Sequence, residues 1–225
     1  MENHESLQPG KFYHIYNRGI NGENLFHCEA NYQHFLKLYT TYIDPIADTY
    51  AWALMSNHYH LLVRIKENIH YKYQKPIDGN EKEKEQFELV KWETEQVPIN
   101  MNSDTKIPDP SHHFAHLFNA YTKYLNLRIP RHGNLFERTF KRKKIDNYNY
   151  LKKVLIYIHQ NPVHHDFCKH PIEYSWSSFL TCISTKPTKL KRDAVMGWFD
   201  NQANFVYMHE GKMEVEDIEH WLELD

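Results

Sequence analysis

The chain has 225 residues, is 41% hydrophobic and 25% charged, and carries a formal net charge of −2, which suits a globular protein of one large or two small domains. Only seven glycines and three widely spaced cysteines argue against a glycine-rich phosphate loop, a disulfide framework or a CxxC zinc site. The polar start MENHESLQPG is unlike a signal peptide, no apolar run approaches a membrane span, and free thiols fit a cytoplasmic protein with no membrane partner.

KFYHIYNRGI, from Lys11 to Ile20, is rich in β-formers and runs into a turn signal, so it reads as a first strand. Tyr32, Phe35, Leu36, Tyr39 and Ile43 recur at helical spacing and predict a helix from about Ala30 that stops before Pro45. DTYAWALMSNHYHLLVRI then reads as two strands around a tight Ser56-Asn57 turn. In the second of these, Tyr59, Leu61, Val63 and Ile65 share the core-facing parity, while His58, His60 and Arg64 share the other. Two histidines at i, i+2 on a strand point the same way, with Cβ atoms roughly 7 Å apart, close enough to meet one ion.

Glu67 to Pro110 is polar and proline-punctuated and reads as an insertion (67–110), with helix expected near Glu81 to Glu93. Ser111 to Arg128 is helical by period, with Ser111 expected at the N-cap. Arg128 to Lys144 holds seven basic residues and one acid, whereas the last 25 residues hold seven acids against Lys212 alone. These opposite charges cancel in the sum but not in space. DNYNYLKKVLIYIHQNP predicts a helix capped by Asp146 and ended near Asn161 by Pro162.

On that last helix Tyr157 and Asn161 are four residues apart and so share a face. Laid over the strand face bearing His58 and His60, it would bring two imidazoles and an amide oxygen around one cation beside a phenol. Such a site lacks a carboxylate, and phosphate oxygens of a polyanionic substrate could supply the missing negative ligands. Neutral N/O donors suit Mg²⁺ or Mn²⁺ and would also allow Zn²⁺. Tyr150, two turns earlier, is the rival nucleophile, and His159, His164 and His165 are candidates for moving a proton. A histidine-triad hydrolase would need a histidine at position 62, which is Leu62.

MSNHYHLLV, GNLFERTFK, YIHQNPV and EYSWSSF, in that order, resemble the single-tyrosine HUH transposase superfamily, close to the REP-associated tyrosine transposases. The resemblance spans roughly Lys11 to Phe179. It implies an α+β fold with a central antiparallel sheet and packed helices (ferredoxin-like), over residues 1–180, with 181–225 as an acidic C-terminal extension. It further implies Mg²⁺ or Mn²⁺ held by His58, His60 and Asn161, and Tyr157 as the nucleophile that nicks and rejoins single-stranded or hairpin DNA through a 5′-phosphotyrosine link. Arg131, Arg138, Lys141, Arg142, Lys143 and Lys144 are the expected DNA-backbone contacts, with Arg18 and Arg64 as lesser candidates. Phe136 and Phe140 could stack bases or anchor this segment to the core. A homodimer, and a site completed by a partner subunit, stay open. So do two other functions: a non-catalytic nucleic-acid-binding module, and a metal-dependent nuclease that uses water.

Overall fold

Alternation within FYHIYNR sends Tyr13 and Ile15 to one face of the first strand and Phe12, His14 and Tyr16 to the other. In the computed structural model, which describes residues 6–73, 90–94, 105–137, 139–211, 218 and 220–221, this strand is β1 (Phe12–Arg18). It is followed by α1 (Glu29–Tyr42), β2 (Ala47–Leu54) and β3 (His58–Ile65). Next come β4 (Ile69–Tyr73), β5 (Val90–Thr94), β6 (Thr105–Lys106), α2 (Pro110–Asn126), β7 (Lys141–Ile145) and α3 (Tyr148–His164). The chain then runs through α4 (Phe179–Ile183), α5 (Arg192–Trp198) and α6 (Gln202–Glu210).

The main sheet has the order β2-β3-β1-β7, with antiparallel neighbours throughout. The succession β1-α1-β2-β3-α2-β7 with that order is the ferredoxin-like pattern, and the expected α+β architecture is the one observed. Strand parity divides the core. Tyr13, Ile15, Tyr59, Leu61 and Val63 pack under α1 and α2 with Phe35, Phe114, Leu117 and Tyr121. Ala51, Ala53 and Leu62 meet Leu151, Val154, Leu155 and Ile158 of α3 on the opposite face.

Four local expectations change. Residues 90–94 are strand β5, paired with β4, where Lys/Glu-rich composition had suggested helix; residues 81–89 lie outside the described residues. The 67–110 segment contributes a second sheet, ordered β5-β4-β6, because alternating VKWET can form a ladder in which its backbone groups pair. Helix α2 is capped by Asp109, whose carboxylate accepts from Ser111 N–H at 2.8 Å, with Pro110 in the first turn. Likewise Asn147, not Asp146, caps α3; Asp146 pairs with Lys144 at 3.2 Å.

Helix α3 also runs through Pro162 to His164. A proline this close to a helix end forfeits one backbone bond without losing the turn, because Asn161 O still accepts from His165 N–H at 3.1 Å. Among the described residues no helix is long and apolar enough to cross a membrane.

The C-terminal extension is part of the α3 layer: Leu190, Val195, Phe199, Phe205 and Ile218 join its core. A buried polar chain fastens it. His209 Nδ1–H donates to the Phe205 carbonyl at 2.7 Å, so its Nε2 must accept from His159 Nδ1–H at 3.0 Å. His159 Nε2 in turn accepts from the Ser178 hydroxyl at 2.7 Å, and Ser178 Oγ accepts from Trp52 N–H at 2.8 Å.

Both imidazoles are neutral in this chain of bonds. Burial drives His209 from 6.5 down to about 4 and His159 well below 6.5. The unfolded chain therefore binds protons that the folded chain refuses. Stability should be flat above pH 6.5 and fall as pH drops from 6.5 toward 4, by up to about 1.4 kcal/mol per pH unit for each such histidine. Urea unfolding across this range checks it; a stability that stays constant down to pH 5 would refute the scheme. His159→Ala, which strands two buried partners, is expected to cost about 2–4 kcal/mol.

Candidate metal and DNA site

Strand β3 opens on His58 straight out of the Ser56-Asn57 turn, and that turn is gripped from outside. Gly19 N–H donates to Asn57 O at 2.8 Å, and Leu25 and Phe26 N–H both donate to Ser56 O. A side chain at Gly19 would collide with the Glu23 carbonyl, so the loop can close over the turn only with glycine there. His58 and His60 emerge on the sheet face that α3 covers, opposite Arg18 and Tyr16 of β1. The helical period of α3 turns Tyr157 and Asn161 toward them.

His58 Nδ1 stands 2.7 Å from Asn57 Oδ1. An amide oxygen only accepts, so Nδ1 carries the hydrogen and Nε2 presents its lone pair. That lone pair lies 2.9 Å from Asn161 Oδ1, itself an acceptor. Burial, the largest influence, lowers His58 to about 4, so no second proton bridges them near neutral pH. The same 2.9 Å spacing suits two ligands of one ion, since adjacent donors on an octahedral Mg²⁺ with bonds of about 2.1 Å stand about 3.0 Å apart.

Asn161 is buried and its Nδ2 has no partner among the described residues. Turned over, the same amide donates to His58 Nε2, so one side chain serves the site with and without an ion. His60 is buried, its Nδ1 2.9 Å from His14 Nε2 and its ring perpendicular to His58 at 5.4 Å. Burial also holds His60 well below the usual histidine range. The described residues hold no group of three His, Cys, Asp or Glu suited to a metal. His58, His60 and Asn161 would offer two imidazoles and an amide oxygen, a set that fits a small divalent ion drawing further ligands from substrate or water.

Tyr157 stands edge-on to His60, with centroids 5.5 Å apart, and is only 2% exposed. It walls a cleft of about 460 Å³ whose lining includes His58, His60, Tyr16, Lys141, His165 and Phe167. Arg18 and Glu137 form the rim, paired at 2.5 Å. Tyr150 is elsewhere, stacked on Trp221 at 4.4 Å. His159 belongs to the buried chain described above, whereas His165 lies 4.7 Å from His58 at the cleft.

The basic block is divided. Alternation in β7 puts Lys141 and Lys143 on the His60 face and Arg142 and Lys144 on the other. Lys141 reaches the cleft, while Lys143 lies 5.8 Å over Trp221. Arg142 sits over Phe140 and donates to Ser111. Arg131 is tied to Glu23, Asn126 and the Asn134 carbonyl. Arg138 lies outside the described residues. Arg64 pairs with Glu67 at 2.6 Å. Phe136 and Phe140 are both core.

Sequence reasoning did not single out His14, Asn57, Glu137 or Phe167. Asn57 was legible as a turn residue beside His58; the others reach the cleft or its histidines through cross-strand pairing and loop packing, which leave no local pattern.

No family model and no curated protein matches the sequence. Among solved structures, that of a REP-associated tyrosine transposase bound to a REP hairpin aligns with a TM-score of 0.54 over 83% of this chain and 88% of the transposase chain, at 15% identity. At that identity the likeness is one of architecture: this chain has the fold of a tyrosine transposase.

Proposed function

We propose that this protein nicks and rejoins single-stranded DNA next to a hairpin, with Tyr157 as nucleophile. The observation that carries the reading is the convergence of His58 Nε2 and Asn161 Oδ1, 2.9 Å apart, beside the cleft walled by His58, His60 and Tyr157. The neighbour's hairpin ligand supports hairpin DNA as the substrate class.

His58, His60 and Asn161 would hold Mg²⁺ or Mn²⁺, which when bound supplies Lewis acidity to a phosphate and neutralises charge growing on its oxygens. Tyr157 Oη attacks phosphorus, the bond from phosphorus to the 3′ oxygen breaks, and a 5′-phosphotyrosine link remains. The phenol gives up one proton and the departing 3′ oxygen gains one, so the exchange is balanced. One ester replaces another, and a DNA 3′-hydroxyl can reverse the step without a nucleoside triphosphate. His58, His60, Asn161 and Tyr157 meet within one chain, which favours a site completed without a partner subunit even in a homodimer. Tyr157 is only 2% exposed in the DNA-free chain, so this reading requires its Oη to be uncovered when DNA binds.

The test is incubation with hairpin-bearing single-stranded DNA and Mn²⁺, read on a denaturing gel. A covalent adduct supports the proposal. Cleavage with no adduct points to a hydrolase that uses water, and binding alone to a non-catalytic module.

In the cleft lining Lys141 offers charge and Phe167, 44% exposed and 5.9 Å from the Tyr174 ring, an aromatic surface. Lys141→Ala should weaken binding of all sequences and reduce the salt slope by about one. Phe167→Ala should cost roughly 1–3 kcal/mol of single-strand affinity with the salt slope unchanged. Fluorescence anisotropy at several salt concentrations separates the two, and equal slopes in both variants would argue against this division of roles.

A further inference from the structure

We infer that His14 is a positioning residue that fixes which nitrogen of His60 faces the cleft; the inference rests on the metal reading above. His14 lies on β1, diagonal to His60: Tyr16 is the direct cross-strand partner of His60, and His14 pairs with Leu62. Even so, His14 Nε2 reaches His60 Nδ1 at 2.9 Å in a fully buried contact. The ring of Tyr16 stacks on His14 at 4.8 Å, and Tyr157 stands edge-on to it at 6.1 Å. These contacts hold the plane of the His14 ring.

One hydrogen is shared between two nitrogens, so only two arrangements exist. If His14 donates, His60 carries its hydrogen on Nε2 and has no lone pair to offer an ion there. If His60 donates from Nδ1, its Nε2 lone pair is free and His14 is the acceptor. Metal-bound histidines commonly donate their other ring N–H to such a partner, which fixes both tautomer and ring direction.

His14 is an expensive residue to keep for packing alone. It is wholly buried, and its Nδ1 has no partner among the described residues. A leucine or phenylalanine would fill the same space with no polar atom to desolvate. What an apolar side chain cannot do is accept the His60 Nδ1–H.

The proposal is tested on the full chain with Mn²⁺ alone as the calorimetric probe. His14→Leu should weaken Mn²⁺ binding by about 10–100-fold. His14→Gln, whose Oε1 can accept the same N–H, should stay within about threefold of wild type. Melting curves in EDTA check that both variants fold. Independently of any variant, ¹⁵N NMR of the wild type with saturating Mg²⁺ should find His60 protonated on Nδ1, with a nitrogen–nitrogen coupling across the bond to His14 Nε2. If His14→Leu does not fold, that spectrum decides.

A folded His14→Leu that binds Mn²⁺ as tightly as wild type, or a Mg²⁺-loaded His60 protonated on Nε2, would overturn the role of His14 and leave the proposed function standing. A wild-type protein that takes up no Mn²⁺ would overturn the metal reading and this inference together.

Discussion

Phenylalanine in place of Tyr157 is expected to leave hairpin DNA bound but never covalently captured. The substitution keeps the ring that stands edge-on to His60 and His14 and removes only the oxygen. A near volume-conserving change of this kind usually costs less than about 1.5 kcal/mol of stability, so the variant should fold. Loss of the proposed nucleophile should slow the proposed strand transfer by at least about 10³-fold, roughly 4 kcal/mol in the barrier. Tyr150→Phe is the matched control. Its ring lies on Trp221, and adduct formation should be unchanged. An adduct formed at wild-type yield by Tyr157→Phe would remove Tyr157 from the chemistry.

His58→Ala should abolish cation binding and cleavage together. It removes the imidazole that stands 2.9 Å from Asn161 Oδ1, so Mn²⁺ affinity should fall by at least about 100-fold. A readout that needs no turnover is available. An ion that binds only the folded chain stabilises it by about 2.7 kcal/mol at one hundred times its dissociation constant. For a chain of this size that is a rise of about 5–10 °C in melting temperature. The wild type should show this shift with Mn²⁺ and His58→Ala should not. Because His58 is only partly buried, its loss should leave the melting temperature in EDTA within a few degrees. Equal Mn²⁺ shifts in both proteins would place the cation away from His58.

These predictions rest on features of unequal visibility in the sequence. His58 and His60 could be placed on one face from local spacing, because side chains alternate along a strand. Tyr157 and Asn161 could be placed together because a helix brings residues four apart onto one side. The same local rules misplace ends. Asp109 and Asn147 took the capping roles read for Ser111 and Asp146, each one or two positions away and chemically equivalent at that distance. Pro162 did not stop α3, since a proline's local preference yields where a buried helix face keeps its packing.

The basic block shows a different failure. Arg128 to Lys144 reads as one charged surface only if its residues point the same way. Once Lys141–Ile145 pairs with β1, alternate cations go to opposite faces, and two of them are taken up, Lys144 by Asp146 and Arg142 by Ser111 and the Phe140 ring.

By itself, the sequence determined the strand and helix that carry the two imidazoles, the amide and the phenol, and the parity that aims each of them, because these follow from periods of two and 3.6 residues. Tertiary structure alone decided what completes them. His14 meets His60 across 46 residues of chain, the Gly19 loop steadies Asn57 beside His58, and His159 with His209 fastens the C-terminal layer to α3. Those contacts come from strand register and layer packing, which join distant segments and leave no periodic trace in either one.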